Sequence, residues 1–191
     1  MVNYGYHLNA GKFSEFLKRH CTEKLGVRFV ADKVTEVINN DRGDIANVQT
    51  EHSGALAADL FIDCSGFRSL LLGEHYGVKF VDQSHKFSID SALAVQVPYG
   101  SKTDEIENVP IKSSTIATAQ EAGWLWDIGL SSRRGVGHLY SSTHLSHEKA
   151  QAQLQAYLNV SDATLEKLSP RKIRLRPGYR ETFWHRNCVA I

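Results

Sequence analysis

The run "LFI" at residues 60–62 is apolar at every position and leads directly into "DCSG" at residues 63–66. A strand without polar alternation is buried on both faces, which is typical of parallel sheets covered by helices. The small residues that follow predict a tight turn. Residues 67–72 then offer a short helical turn, with Ser65 as its cap. This succession of strand, turn and helix predicts an α/β architecture.

A first helix is predicted over residues 10–25. Asn9 is suited to cap its start and Gly26 to end it. Its apolar residues recur at helical spacing on one face. They are Phe13, Phe16, Leu17, Cys21 and Leu25.

The rest of the chain is predicted to be mostly β structure. Short apolar runs separated by turn residues indicate a β-meander after the first helix, and residues 85–142 carry the alternating pattern of a second sheet. A further helix is predicted over residues 147–158, capped by Ser146. The chain then returns to strands, so the predicted class is α/β (α+β).

Charge and hydropathy exclude several kinds of partner. The 191 residues include 22 Lys and Arg against 21 Asp and Glu, giving a formal net charge of +1. A chain so nearly neutral has no net electrostatic attraction to nucleic acid or anionic lipid. Its apolar runs fall far below the roughly 20 residues that cross a bilayer, and no signal-peptide pattern begins it. We therefore predict a cytoplasmic protein with neither nucleic acid nor membrane as a partner.

The cysteines and histidines predict no metal site. Cys21, Cys64 and Cys188 are scattered and odd in number, a pattern typical of reduced thiols. His144 and His147 are three residues apart, but no acidic residue or cysteine completes a recognisable ligand set around them.

Two of the three tryptophans stand at alternate positions in "GWLWDIG", residues 123–129. In a strand, residues two apart project from the same face, so Trp124 and Trp126 are expected side by side. They can form the wall of a functional site or two layers of an ordinary core. The sequence leaves both alternatives open.

The turn at Gly66 is the one position where the chain by itself suggests a ligand. Ligands bind α/β sheets where a strand ends in a small-residue turn before a helix, since backbone N–H groups are exposed there. A tight turn without a ligand explains the same residues. The chain has no GxGxxG motif, so a cofactor does not follow from these residues alone.

An ordered set of segments resembles the flavin-dependent halogenases of the tryptophan halogenase family. The segments cover essentially the whole chain, and "FIDCSGFRSLL" and the pattern RxGxRxxxWxxNCVAI are the most specific of them. The others are "YGYHLNAGKFSEFL", "GVRFVADKVTEV", "DSALAVQVP", "AGWLWDI" and "GHLYSS".

This resemblance implies part of a two-domain FAD-binding fold like that of flavoprotein monooxygenases. Residues 1–82 are expected in the FAD-binding domain, residues 83–164 in a substrate-side β-sheet, and residues 165–191 back in the FAD-binding domain. The family's GxGxxG, lysine and glutamate find no match here, and the chain ends within the apolar run "CVAI". We expect an internal fragment without catalytic residues of its own, inactive alone.

By the same resemblance, the complete enzyme chlorinates or brominates a small aromatic substrate, such as tryptophan or an indole, with O₂ and a halide. Its cofactor is FAD, reduced by a separate flavin reductase. Val34 and Gly66 match cofactor contacts, and Trp124 and Trp126 match a wall that keeps substrate from the flavin. The family signature is WxWxIP, and Gly129 replaces its proline, which predicts a looser loop.

Two other functions remain open at this point. A related FAD-dependent monooxygenase or reductase is favoured by Gly129 and by the adjoining Asp127. A non-catalytic remnant that binds a nucleotide is the third possibility, because a shared fold does not decide chemistry.

Overall fold

The structure is a computed structural model that describes residues 4–99 and 110–191. Its contacts divide the chain into two compact units. The first unit comprises residues 1–14 and 83–177, and the second comprises residues 15–82 and 178–191.

The described residues form three α-helices and thirteen strands. The helices are α1 (Ala10–Lys24), α2 (His147–Leu158) and α3 (Asp162–Leu168). The strands before residue 100 are β1 (Val34–Asn39), β2 (Ile45–Thr50), β3 (Gly54–Ala57), β4 (Phe61–Asp63), β5 (Phe80–Asp82) and β6 (Ser91–Pro98). Those after residue 109 are β7 (Ile116–Gln120), β8 (Gly123–Gly129), β9 (Arg133–Tyr140), β10 (Arg171–Arg174), β11 (Gly178–Arg180), β12 (Trp184–His185) and β13 (Cys188–Ala190). A 3₁₀ turn (Gly66–Arg68) and a π-helical segment (Leu70–His75) follow β4.

The predicted first helix is confirmed as α1, together with both of its ends. Asn9 Oδ1 accepts a hydrogen bond from the Lys12 amide at 3.3 Å, and Gly26 has the positive φ of +68° that ends many helices. Its apolar stripe is not buried, however: Phe13, Phe16 and Leu17 are exposed, and no residue of α1 is buried among the described residues.

A five-stranded antiparallel sheet forms the centre of the first unit, in the order β10-β6-β9-β8-β7. α2 and α3 supply buried residues to the core on one of its faces. The predicted helix over residues 147–158 is confirmed, and Ser146 Oγ caps it by accepting from the Lys149 amide at 3.3 Å. The sequence analysis missed α3, whose seven residues are too few for a clear helical period.

The second unit contains three small sheets. β1, β2 and β3 form the predicted meander, β11 pairs with β5, and β13 lies between β12 and β4. β4 pairs with β13 in parallel, as its sequence predicted. Its burial on both faces was wrong: Phe61 packs against the core, but Ile62 on the opposite face is 55% exposed.

The boundaries between the two units follow Asp82 and Pro177. The second of them lies after β10 because β10 pairs with β6 in the five-stranded sheet. The division into an FAD-binding domain and a substrate-side sheet stays a prediction. Within the described ranges, no helix is both long and apolar enough to cross a membrane.

Candidate functional site

The two faces of β8 differ in chemistry. Leu125 and Asp127 are buried, with 1% and 7% of their surface exposed, on the face that packs against the helices. Trp124 and Trp126 alternate with them and therefore share the opposite face. Trp124 is 39% exposed and Trp126 is half-buried. Neither tryptophan belongs to the helix-covered core of this unit.

Trp126 lies over a glycine of the neighbouring strand. Gly137 is its cross-strand partner, and a Cβ at Gly137 would lie 2.1 Å from Cζ2 and Cη2 of the indole. A glycine inside a strand often marks such a close approach. No larger residue at position 137 would leave the indole where it is.

Asp127 is occupied by structural contacts. Its Oδ2 accepts hydrogen bonds from Arg134 Nη1 at 2.8 Å and from the Tyr157 hydroxyl of α2 at 3.2 Å. The Asp127 and Arg134 side chains are only 9% and 16% exposed. This carboxylate thus connects β8, β9 and α2, on the opposite face of the sheet from the tryptophans.

Gly129, at the position of the family's proline, is buried and ends β8 in pairing with Arg134. A Cβ at this glycine would lie 3.1 Å from the carbonyl oxygen of Lys112. Its own carbonyl oxygen accepts a hydrogen bond from His7 Nδ1 at 3.2 Å. These contacts hold Gly129 at the end of the sheet, and a looser loop than in relatives with proline stays a prediction.

The turn after β4 is organised by Asp63, whose role the sequence analysis missed. One carboxylate oxygen accepts from the amides of Leu71 and Leu72, both at 2.9 Å, and the other accepts from the amide and hydroxyl of Ser65. Ser65 Oγ in turn accepts from the Leu70 amide at 2.6 Å. The amides of Ser65, Leu70, Leu71 and Leu72 are therefore bonded within the chain.

The electrostatics of Asp63 follow from these contacts. Burial by itself would raise the pKa of this carboxyl, which is only 4% exposed. The hydrogen bonds from Ser65, Leu72 and Leu71 favour the carboxylate more strongly, and the pKa falls below its usual value. Beside it, burial first and the charge of Asp63 second raise the pKa of the Cys188 thiol to about 11. Cys188 is therefore a neutral thiol at physiological pH.

Val34 and Gly66, the residues matched to cofactor contacts, both lie in the second unit. Val34 is half-buried and packs against the core of that unit. Gly66 is exposed, has a φ of +66°, and has no other heavy atom within 4 Å of a Cβ built on it. The space at Gly66 fits the close approach of a flat or charged group such as part of FAD.

Comparison with known proteins shows to which family the chain belongs. The family model described as tryptophan halogenase matches residues 1–191. A crystal structure of a tryptophan halogenase from Shewanella frigidimarina NCIMB 400 is 51% identical, with a TM-score of 0.90 over 99% of this chain and 35% of that one. The chain belongs to the tryptophan halogenase family.

Two further relatives agree with this assignment. Tryptophan 6-halogenase SttH of Streptomyces toxytricini is 40% identical over 188 residues, which are 98% of this chain and 34% of the relative. Tar14, a tryptophan C-6 flavin-dependent halogenase (chlorinase), is 37% identical with a TM-score of 0.86, over 97% of this chain and 34% of that one. The chain thus spans about a third of the length of the relatives that it matches.

Proposed function

We propose that this chain acts as part of an FADH₂-dependent halogenase that chlorinates or brominates an aromatic, tryptophan-like or indole-like substrate with O₂ and a halide. The observation that carries the proposal is the uncovered pair Trp124 and Trp126, which matches the family's WxWxI signature on the face away from the helices. Family membership and the halogenase activities of the relatives support it.

The two tryptophans serve as a wall in this proposal. They are large and rigid, and Trp126 is held against Gly137, so the surface that they present is fixed before any substrate arrives. When bound in reduced form, FAD would supply two of the four electrons that reduce O₂ to water, and the halide, which is oxidised, would supply the other two. A fixed wall keeps the aromatic substrate from the flavin and confines the reactive halogen species to its route.

Val34 and Gly66 are the proposed cofactor contacts of this chain. The empty space around Gly66 supports its assignment as a cofactor contact. Val34 offers an apolar side chain from β1, the first strand of the meander. The catalytic groups are proposed to come from the other two thirds of the length that the relatives have. A separate flavin reductase is the proposed source of reduced FAD, and the cytoplasm, where free reduced flavin is available, is the proposed location.

The monooxygenase or reductase alternative loses its main support in this chain. Asp127, which favoured it, is bonded to Arg134 and Tyr157 on the packing face and is directed away from the tryptophans. Gly129 is firmly held. We therefore keep halogenation as the single proposed reaction.

The test uses the complete protein that contains this chain, supplied with FAD, a flavin reductase, O₂, chloride or bromide, and tryptophan or indole. Mass spectrometry is expected to show a product with one halogen in place of one hydrogen, and with the isotope pattern of that halogen. The control omits the halide and should give no such product. A hydroxylated product, or flavin oxidation without any halogenated product, would contradict the proposal.

A further inference from the structure

Among the described residues, the end of β8 has no strand partner on one of its two sides. β7 begins at Ile116, which pairs with Asp127, so the ladder between these two strands stops before Gly129. On the other side, β9 continues the pairing as far as Gly129 and Arg134. A backbone polar group that leaves a ladder needs another partner, because an unpaired buried group is costly.

The carbonyl oxygen of Gly129 points to the side on which the ladder has stopped. The Leu130 amide donates to the Arg133 carbonyl at 2.9 Å, so residue 130 bonds towards β9. The backbone groups of successive strand residues point alternately to the two sides, which directs those of Gly129 towards β7. There the Gly129 carbonyl accepts from His7 Nδ1 at 3.2 Å. A side chain from the segment before α1 thus takes the place that a strand residue would otherwise occupy.

The second ring nitrogen of His7 fixes the orientation of the imidazole. Nε2 lies 3.1 Å from Oγ1 of Thr115, the residue directly before β7. The Gly129 carbonyl can only accept, so Nδ1 carries a proton, whereas the Thr115 hydroxyl can donate to Nε2 or accept from it. With both nitrogens engaged, the ring connects the end of β8 to the start of β7. All three residues belong to the first unit.

The surroundings of Gly129 make the donor from His7 hard to replace. Gly129 is buried, so water has little access to it. A Cβ at this glycine would lie 3.1 Å from the carbonyl oxygen and 3.2 Å from the nitrogen of Lys112, which closes the space beside it. Loss of the His7 donor would leave the carbonyl unpaired and would favour a displacement of the end of β8.

Trp126 is the member of the proposed wall that such a displacement would move most. It lies closer to Gly129 along β8 than Trp124 does. Its indole occupies the space in which a Cβ of Gly137 would lie, because that Cβ would be only 2.1 Å from Cζ2 and Cη2. So close a fit between a ring and the backbone beneath it depends on the position of β8 against β9.

We propose that His7 is a positioning residue for Trp126, acting through the carbonyl of Gly129 and the end of β8. It holds the strand so that the indole stays against Gly137, and it touches neither substrate nor flavin. A residue outside the WxWxI signature thereby determines where the wall stands. The consequence for the reaction rests on the proposed function, whereas the effect on the position of the indole does not.

The test places two side chains of equal shape at position 7 of the complete protein that contains this chain. His7→Asn keeps an N–H donor near the position of Nδ1, whereas His7→Asp offers acceptors only. The protein is labelled with 5-fluorotryptophan, and the fluorine resonances of Trp126 and Trp124 are assigned by their loss in Trp126→Phe and Trp124→Phe. We expect the Trp126 resonance to shift or broaden in His7→Asp and to keep its wild-type position in His7→Asn, with the Trp124 resonance in place in both.

The halogenated product formed per reduced flavin oxidised gives a second readout. His7→Asp is expected to lower this ratio by about threefold or more without slowing flavin oxidation, and His7→Asn should keep the wild-type ratio. A merely structural loss would lower product and flavin oxidation together and leave the ratio unchanged. His144→Leu, which removes an exposed histidine of the same unit, is the control and should change neither readout.

His7→Leu removes the donor without adding a charge, and it replaces His7→Asp in both measurements if the aspartate variant does not fold. A Trp126 resonance at its wild-type position in the variants without a donor would overturn the proposal. Equal displacement in His7→Asn and His7→Asp would also overturn it, because the donor would then not be the cause. Absence of halogenated product from the wild-type protein would instead refute the proposed function, and the fluorine spectra would still decide the role of His7.

Discussion

Replacing Asp127 with alanine is expected to lower the free energy of unfolding by about 3–5 kcal/mol, the largest effect of any single substitution proposed for this chain. The change removes the acceptor of both Arg134 and Tyr157 and leaves a guanidinium, only 16% exposed, without its counter-charge. A buried charge without a partner is costly, because it loses water without gaining an opposite charge. Urea denaturation followed by circular dichroism measures the change.

Two controls separate burial from pairing. Glu74→Ala breaks the ion pair with Arg68, whose 3.0 Å distance is similar but whose side chains are 59% and 49% exposed, and should cost less than about 1 kcal/mol. Tyr157→Phe removes only the hydroxyl that donates to Asp127, and should cost about 1–3 kcal/mol. An Asp127→Ala effect no larger than that of Glu74→Ala would show that the Asp127 pair is not buried as described.

Asp63→Ala is expected to have the second largest effect, a loss of about 3 kcal/mol or more. It leaves the buried amides of Leu71 and Leu72 without an acceptor and frees the turn at Ser65. Hydrogen exchange should identify the cause, because the amides of Leu71 and Leu72 should exchange faster while those of β8 keep their protection. Asp63→Asn, which retains one acceptor oxygen, should lose about half as much as Asp63→Ala.

The stability that Asp63 contributes should depend on pH. Its pKa is lowered by folding, so its contribution is fully present above the pKa of the unfolded chain, about 3.9, and is lost as pH falls through the folded pKa. The difference in unfolding free energy between the wild-type chain and Asp63→Asn should therefore be constant near neutral pH and shrink below about pH 4. A difference that stays constant down to the lowest pH at which the chain folds would refute this role of the carboxylate.

Local patterns were enough to find the helices with clear caps and the shared face of the tryptophans. Asn9, Gly26 and Ser146 act within a few residues of their own helices, so their roles are visible in the sequence. The side-by-side placement of Trp124 and Trp126 needs only the period of two in a strand.

What the sequence did not reveal depends on partners that folding brings together. Asp127 favoured a different enzyme class until its contacts with Arg134 and Tyr157 showed it to be structural. The register that places Trp126 over Gly137 is set by pairing between β8 and β9, and no local pattern states it. A usable signal was nevertheless present: the alternate glycines at 135 and 137 inside a strand pattern indicate close approach of other groups.

The hydrogen bonding of the turn after β4 was only partly predictable from the sequence. Ser65 does precede the 3₁₀ turn, but its side chain makes no capping hydrogen bond to that turn and accepts instead from the Leu70 amide of the next segment. Asp63, two residues earlier, accepts more hydrogen bonds, from the amides of Ser65, Leu71 and Leu72 and from the Ser65 hydroxyl. Two capping residues of similar propensity stood close together, and only the backbone geometry decides how they share the donors.

The central proposal is that Trp124 and Trp126 form a wall that keeps the substrate from the flavin. The most direct test measures the halogenated product formed per reduced flavin oxidised by the complete protein that contains this chain. The Trp124→Ala, Trp126→Ala double variant is compared with Phe87→Ala, which removes an exposed aromatic ring of the same unit outside the sheet. We expect the double variant to oxidise flavin at an undiminished rate but to give several-fold less halogenated product per flavin, with Phe87→Ala unchanged. An unchanged product yield per flavin in the folded double variant would contradict the wall.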